Sequence, residues 1–285
     1  MSGAVRTGWA PSTGPAAPAP ARRRRWLLVA SVVWAVLLAV LTWTSVRDDP
    51  PTVREQRSLD QAGPVADRAA GELVRAAGAA GLLELGPVRI ESGCRVTPFA
   101  DGRTLRREVG VLAPAGTERA VLTGIADRLP ADWRAVVGPG LDGLELRADA
   151  GDFVAVEGRP TGDGRVRLTI DTGCRPVGAG HTPPAAAVGE EAAALTAALR
   201  ALDQPADAAP ELVTASCPGG ALARTVRSVV GPGPATSPGG LAPLAGGSPL
   251  LDHPPVYAYR AGPVTVLADL TPDAGRVTAT VGCPA

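Results

Sequence analysis

Residues 161–176 read TGDGRVRLTIDTGCRP, and residues 271–284 read TPDAGRVTATVGCP. Each opens on a Gly/Asp turn, enters a strand at Arg-Val and closes on Gly-Cys beside a Pro. The second is two residues shorter between its Arg-Val and its Cys. Strand side chains alternate with a period of two, so an even difference leaves every side chain on its original face. Val166, Leu168, Ile170, Thr172 and Cys174 share one face in the first stretch; Val277, Ala279, Val281 and Cys283 share it in the second. Both cysteines therefore point where the apolar side chains point. The two stretches read as the closing strands of two degenerate copies of one module.

The parallel extends upstream. Val88, Ile90, Ser92, Cys94 and Val96 alternate with polar residues and Gly93, and Val213, Ala215 and Cys217 form the matching face of a shorter strand. Further strand-like segments follow each, Leu105–Ala113 and Leu222–Val230. A helical pattern precedes each. The first runs from about Ser58 to Ala79, with Leu59, Ala62, Ala66, Ala69 and Leu73 on one stripe, and Gly63-Pro64 is expected to kink it or mark a new start. The second runs from about Val188 to Leu202, with Leu195, Leu199 and Leu202 at helical spacing. Its Glu190 and Glu191 lie at the N-terminus and Arg200 near the C-terminus, the order the helix dipole favours.

Between the early and late strands the copies diverge. Thr117 to Leu129 reads as a helix with Val121, Ile125 and Leu129 on one face, a Thr117 cap and a Pro130 stop. The corresponding stretch, 231–255, is dense in Gly, Pro and Ser and is expected to be a mobile loop. After it, Val256–Arg260 and Pro263–Leu270 match Leu144–Ala148 and Phe153–Glu157. The expected fold class is α+β: two modules, each an antiparallel sheet with helices on one face. The first module takes 58–176, a linker 177–187, and the second module 188–285.

Four cysteines allow three pairings. The repeat selects Cys94–Cys174 and Cys217–Cys283, because each pair then ties the first strand of its own copy to the last. No two cysteines form C-x-x-C, so a metal site or redox pair has no spacing to support it. Structural disulfides imply an oxidising compartment.

The route to that compartment is written near the N-terminus. Arg22–Arg25 precede 21 uncharged residues, Trp26 to Val46. At ~1.5 Å per residue such a run spans ~30 Å, the thickness of a bilayer's hydrocarbon core. A cleaved signal peptide needs a shorter apolar region and small residues at a cut site; here the run ends Thr42-Trp43-Thr44-Ser45-Val46-Arg47. Residues 26–46 are thus expected to be an uncleaved anchor and 47–57 a juxtamembrane linker. Residues 1–25 hold five Arg and no acid, which places a disordered tail in the cytoplasm and the C-terminus outside the cell membrane.

All 28 basic residues are Arg; the chain has no Lys and no Asn. That excludes Schiff-base chemistry, a P-loop lysine and an N-glycosylation sequon. Five Arg precede the apolar run, which leaves 23 against 28 acidic residues beyond it, a net of −5. An acidic outer part argues against nucleic acid as partner and against lying flat on anionic lipid.

The search for chemistry yields little. There is no H-E-x-x-H, no G-x-S-x-G and no phosphate-binding glycine loop, so no catalytic residue, cofactor or metal is assigned. His181 and His253 stand beside Pro pairs and read as surface linker histidines. Glu84, Glu91 and Glu108 alternate with apolar residues and are expected to face water. Tyr257 and Tyr259, two apart beside the Gly/Pro stretch in a chain of nine aromatics, are the one candidate ligand surface, with core packing as the other reading.

The plan of basic tail, apolar anchor and Ala/Arg-rich outer part with paired cysteines resembles the uncharacterised single-pass envelope proteins of high-GC actinobacteria. The resemblance is architectural and carries no site residue. It implies a membrane-anchored extracytoplasmic module that binds or scaffolds an envelope protein or component. An anchored hydrolase with an unmarked carboxylate site, or a structural subunit of a membrane complex, are the alternatives.

Overall fold

The structure, a computed structural model, describes residues 21–48, 57–97, 99–204, 210–230, 238–246, 248–271 and 275–284. It divides into two units, Met1–Pro51 and Thr52–Ala285. The expected disordered tail lies outside the described residues from 1 to 20, as does the juxtamembrane linker from 49 to 56.

The described residues of the first unit form the helix α1 (Ala21–Asp48). Its stretch Arg25–Thr44 is long and apolar enough to cross a membrane, and none of it is buried against protein. Two hydroxyls inside it are turned back on the helix. Thr42 Oγ1 donates to the Leu38 carbonyl at 2.7 Å and Thr44 Oγ1 to the Leu41 carbonyl at 3.1 Å. Bonded this way, they need no water, which an apolar solvent does not supply.

The second unit is α+β, with two antiparallel sheets. Helix α2 (Leu59–Ala77) leads into strands β1 (Leu82–Leu85), β2 (Arg89–Thr97) and β3 (Ala100–Leu112). Helix α3 (Glu118–Ala126) and a single 3₁₀ turn (Ala131–Trp133) precede β4 (Val136–Gly140), β5 (Gly143–Asp149), β6 (Ala155–Gly162) and β7 (Arg165–Arg175). The first sheet runs β1-β3-β7-β6-β5-β4, with β2 also on β3. β1 and β2 share one edge of the long β3: β1 pairs with Val109–Leu112 and β2 with Ala100–Arg106.

The second sheet follows helix α4 (Glu190–Ala201). Its strands are β8 (Glu211–Ser216), β9 (Leu222–Val229), β10 (Leu251–His253), β11 (Val256–Ala261), β12 (Val264–Asp269) and β13 (Arg276–Val281). Their order is β10-β11-β12-β13-β9-β8. The disulfides join Cys94 to Cys174 and Cys217 to Cys283.

Burial follows the period-two pattern along β7, whereas β13 is buried continuously from Val277 to Thr280. Val166, Leu168 and Ile170 enter one core; Val277 and Ala279 enter another, with Tyr257, Tyr259, Val264 and Leu195. The second sheet is covered on both faces, not one. α4 covers the Val277 face. On the reverse face Val213, Ala215, Cys217 and Ala223 join the core of α2 and the first sheet. α2 lies so close to β8 that a Cβ on Gly71 would sit 1.7 Å from the Ser216 carbonyl oxygen. Only glycine permits that approach.

Four local expectations are corrected. α2 makes no new start at Gly63-Pro64: it runs unbroken from Leu59 to Ala77, and Pro64 near its N-terminal end costs only the Asp60 carbonyl its amide partner. Thr117 does not cap α3 through its side chain; its hydroxyl donates to the Pro114 carbonyl at 2.6 Å. β2 does not bury an apolar face: it is largely exposed, Ile90 included, and bulges break its register at Ser92/Cys94 and Arg95/Thr97. As an edge strand it lies beyond the helices, while β1 takes the covered half of the same edge. Finally, the 231–255 stretch is not a loop throughout. Residues 231–237 and 247 lie outside the described residues, but Pro238–Ala245 form a 3₁₀ helix that buries Leu241. Dense Gly and Pro bar a long α-helix, not a short 3₁₀ one.

Candidate functional site

The tyrosine pair is core. Tyr257 is 2% exposed and Tyr259 1%, with ring centres 6.5 Å apart, packed with α4 residues and Leu241 of the 3₁₀ helix. Burial pushes the Tyr259 hydroxyl up to about 12. The helix that the Gly/Pro stretch was not expected to form covers the face on which a ligand would stack.

The histidines part company. His253 is exposed on β10, as expected. His181 is not a surface residue: its side chain is 5% exposed, with Nε2 3.2 Å from Asp67 Oδ2. Asp67, on α2, also accepts from Arg107 of β3. Arg107 in turn donates to the Thr214 carbonyl of β8. One buried guanidinium thus ties together both sheets and the helix between them. No short-range pattern could announce this cluster, because its members lie on four separated segments.

The same arrangement recurs at every buried acid. Glu191 lies 2.9 Å from Arg224 Nε, and Asp269 lies 2.9 Å from Arg165. Glu145 accepts from Arg147 and, at 2.9 and 3.1 Å, from Arg159. In a chain without lysine, guanidinium is the available countercharge, and its planar fork suits carboxylates. Burial alone would raise the Glu145 carboxyl, but the hydrogen bonds from Arg159 and Arg147 outweigh it and hold the group below the usual range. A lowered pKa gives stability that is present above the unfolded value, about 4.3, and lost as pH falls through the folded one. Glu145→Gln should therefore lose less stability than the parent chain as pH drops from about 5 to 3, measured as the shift of the urea midpoint.

Glu84 departs from its expected place; Glu91 is exposed as anticipated, and Glu108 is half-buried. On β1, Glu84 is 12% exposed and 2.9 Å from Arg276 Nε of β13. Burial pushes its carboxyl up, and Arg276 and Arg227 pull it partly back. Arg165–Asp269 crosses the same junction in the opposite sense, arginine from the first sheet and acid from the second. The Leu85 amide, also on β1, donates to Thr225 Oγ1 of β9 at 3.3 Å, and Thr225 pairs with Thr280 at 2.8 Å.

Two cavities flank these contacts. One, about 770 Å³, lies between the start of α2 and residues 180–184 and is lined by Arg57, Asp60, Asp67, Arg68, Asp152 and His181 among others. Arg57 and Asp152 form an ion pair across it. The other, about 170 Å³, opens where β1, β3 and β7 meet β9, β12 and β13. Five of its lining residues are arginines, 89, 165, 167, 227 and 276, against Glu84 and Glu108. Among the described residues, no group of three or more His, Cys, Asp or Glu is placed to hold a metal ion. The chain matches no protein-family model, and no curated protein or solved structure is significantly similar to it.

Proposed function

We propose that the protein is a single-pass membrane-anchored module of the cell envelope, with residues 1–25 in the cytoplasm and the second unit outside, where it binds an envelope protein or component. The observation that carries this is the pairing of a bilayer-length apolar helix with a unit stapled by two disulfides. Arg22–Arg25 on the N-terminal flank of the helix set the orientation. Binding is favoured over hydrolysis because Asp67, Glu145, Asp269 and Glu191 are each engaged by an arginine in a structural ion pair. An acid catalyst needs the reverse, a carboxyl free to carry a proton.

We also infer that 58–176 and 188–285 descend from one module. In support, the strands of each segment pair in the same order from the Cys-bearing edge: β2-β3-β7-β6-β5-β4 and β8-β9-β13-β12-β11-β10. Cys94 within β2 bridges to Cys174 near the end of β7, and Cys217 just past β8 bridges to Cys283 just past β13. The 3₁₀ helix then stands where α3 stands in the first segment. Against independent folding of the two segments, α2 and β1 cover the second sheet.

Carbonate washing tests the anchor. The full-length chain should stay with the membrane pellet, and a chain lacking residues 1–46 should be released. Release of the full-length chain would remove the basis of the reading.

A further inference from the structure

We propose that the cleft between the two sheets is a binding site for a compact oxyanion, a phosphate or carboxylate group, held by Arg89, Arg167 and Arg227. The inference rests on the reading of the outer unit as a binding module and supplies the ligand chemistry. The cleft is built from both sheets, and its floor lies beside Gly110. Gly110 sits between Glu84 of β1 and Arg167 of β7 in the register, and a Cβ there would meet nothing closer than 3.7 Å. That missing side chain leaves the space open. A cavity takes a water from roughly 10–15 Å³ upward, so about 170 Å³ admits a small polyatomic group.

The charges in the cleft are not equivalent. Arg276 and Arg165 are consumed by Glu84 and Asp269, the two cross-braces of the junction. Arg167, exposed, reaches the half-buried Glu108 only at 4.0 Å. Arg227 meets the exposed Glu211 at 3.2 Å through Nε, which leaves the far edge of its fork for another acceptor. Arg89 has no ion-pair partner among the described residues. Three guanidiniums with spare donors thus face one recess, and an ionised oxygen ligand is what such forks hold most strongly. The setting sharpens the effect. The chain beyond the apolar run carries a net of −5, yet this recess is positive, so it concentrates anions that the remaining surface repels.

The test uses the full chain in nanodiscs of zwitterionic lipid, titrated calorimetrically with pyrophosphate and with citrate. Saturable binding is expected. It should weaken about tenfold or more in Arg167→Gln with Arg227→Gln, and should fall with rising salt. Gly110→Val keeps every charge and suits a strand, yet fills the recess, so it should also abolish binding. Arg147→Gln, outside the cleft, should bind as the parent does. Should Gly110→Val fail to fold, the chain with Arg167→Gln and Arg227→Gln, at one exposed and one half-buried side chain, decides alone. A second arm offers vesicles containing phosphatidylglycerol. Cleft-dependent binding to these and not to the free anions would assign the oxyanion to a lipid headgroup; the converse would assign it to a soluble ligand. Absence of saturable binding in both arms, or binding that the cleft variants leave unchanged, would overturn the site. Carbonate resistance of the same variants reports on the anchor separately, so loss of one reading does not mimic loss of the other.

Discussion

Replacing Cys217 and Cys283 together by alanine should destabilise the second unit by about 4–5 kcal/mol, the largest effect expected of any small change. The bond closes a loop of 66 residues, and loop-closure entropy in the unfolded chain sets that figure. Its position makes the full amount felt. Cys217 is buried in the core shared by α2 and the first sheet, and Cys283 Sγ lies 3.6 Å from the Gly71 carbonyl. Cutting it frees the end of β13 and the end of β8 at the point where α2 seats on the second sheet. Cys94–Cys174 closes a longer loop, 80 residues, so the entropy alone ranks it equal or higher. Yet β2 is an exposed edge strand with a bulged register. It can detach while the cores persist, so Cys94→Ala with Cys174→Ala should cost less in global unfolding. Urea unfolding of the two double variants checks both the magnitude and the order.

Arg107→Ala should cost about 3–5 kcal/mol, because it strands a buried carboxylate rather than merely deleting a bond. Arg107 is 1% exposed and serves Asp67 and the Thr214 carbonyl at once. Its loss leaves Asp67 with only His181 and leaves that carbonyl without its guanidinium partner. The double change Arg107→Met with Asp67→Leu removes both buried charges and should recover most of the loss. A double variant no more stable than Arg107→Ala would show that the cluster is stabilising in its own right. Thermal and urea unfolding of the three chains separate the outcomes.

The parts of this fold legible in the sequence are those governed by local periodicity. β7 and β13 declare themselves by alternation toward a cysteine, α4 by leucines at helical spacing, and the apolar helix by composition. Both disulfide pairings followed from matching Cys174 with Cys283. What stayed hidden depends on contacts between distant segments. β1 is four residues long, and β4 reads VVGPG, whose Gly and Pro look like a turn. Glu84 alternates like a solvent-facing residue because nothing near it says that a second sheet will lie above. His181 sits in a Pro-rich stretch typical of linkers, yet α2 and β3 bring Asp67 to it. Tyr257 and Tyr259 were open to two readings, and the covering 3₁₀ helix decided for the core. The arginine cleft draws on segments from Leu82 to Arg276 and has no linear signature.

The central claim is a single span with the disulfide-braced unit outside. The most direct measurement places one short epitope at residue 10 and another after residue 285, and treats intact spheroplasts with a protease. The C-terminal epitope should vanish while the N-terminal one survives until the membrane is lysed. Survival of the C-terminal epitope in spheroplasts, with loss of the N-terminal one, would contradict the orientation and with it the compartment in which the disulfides and the cleft are read.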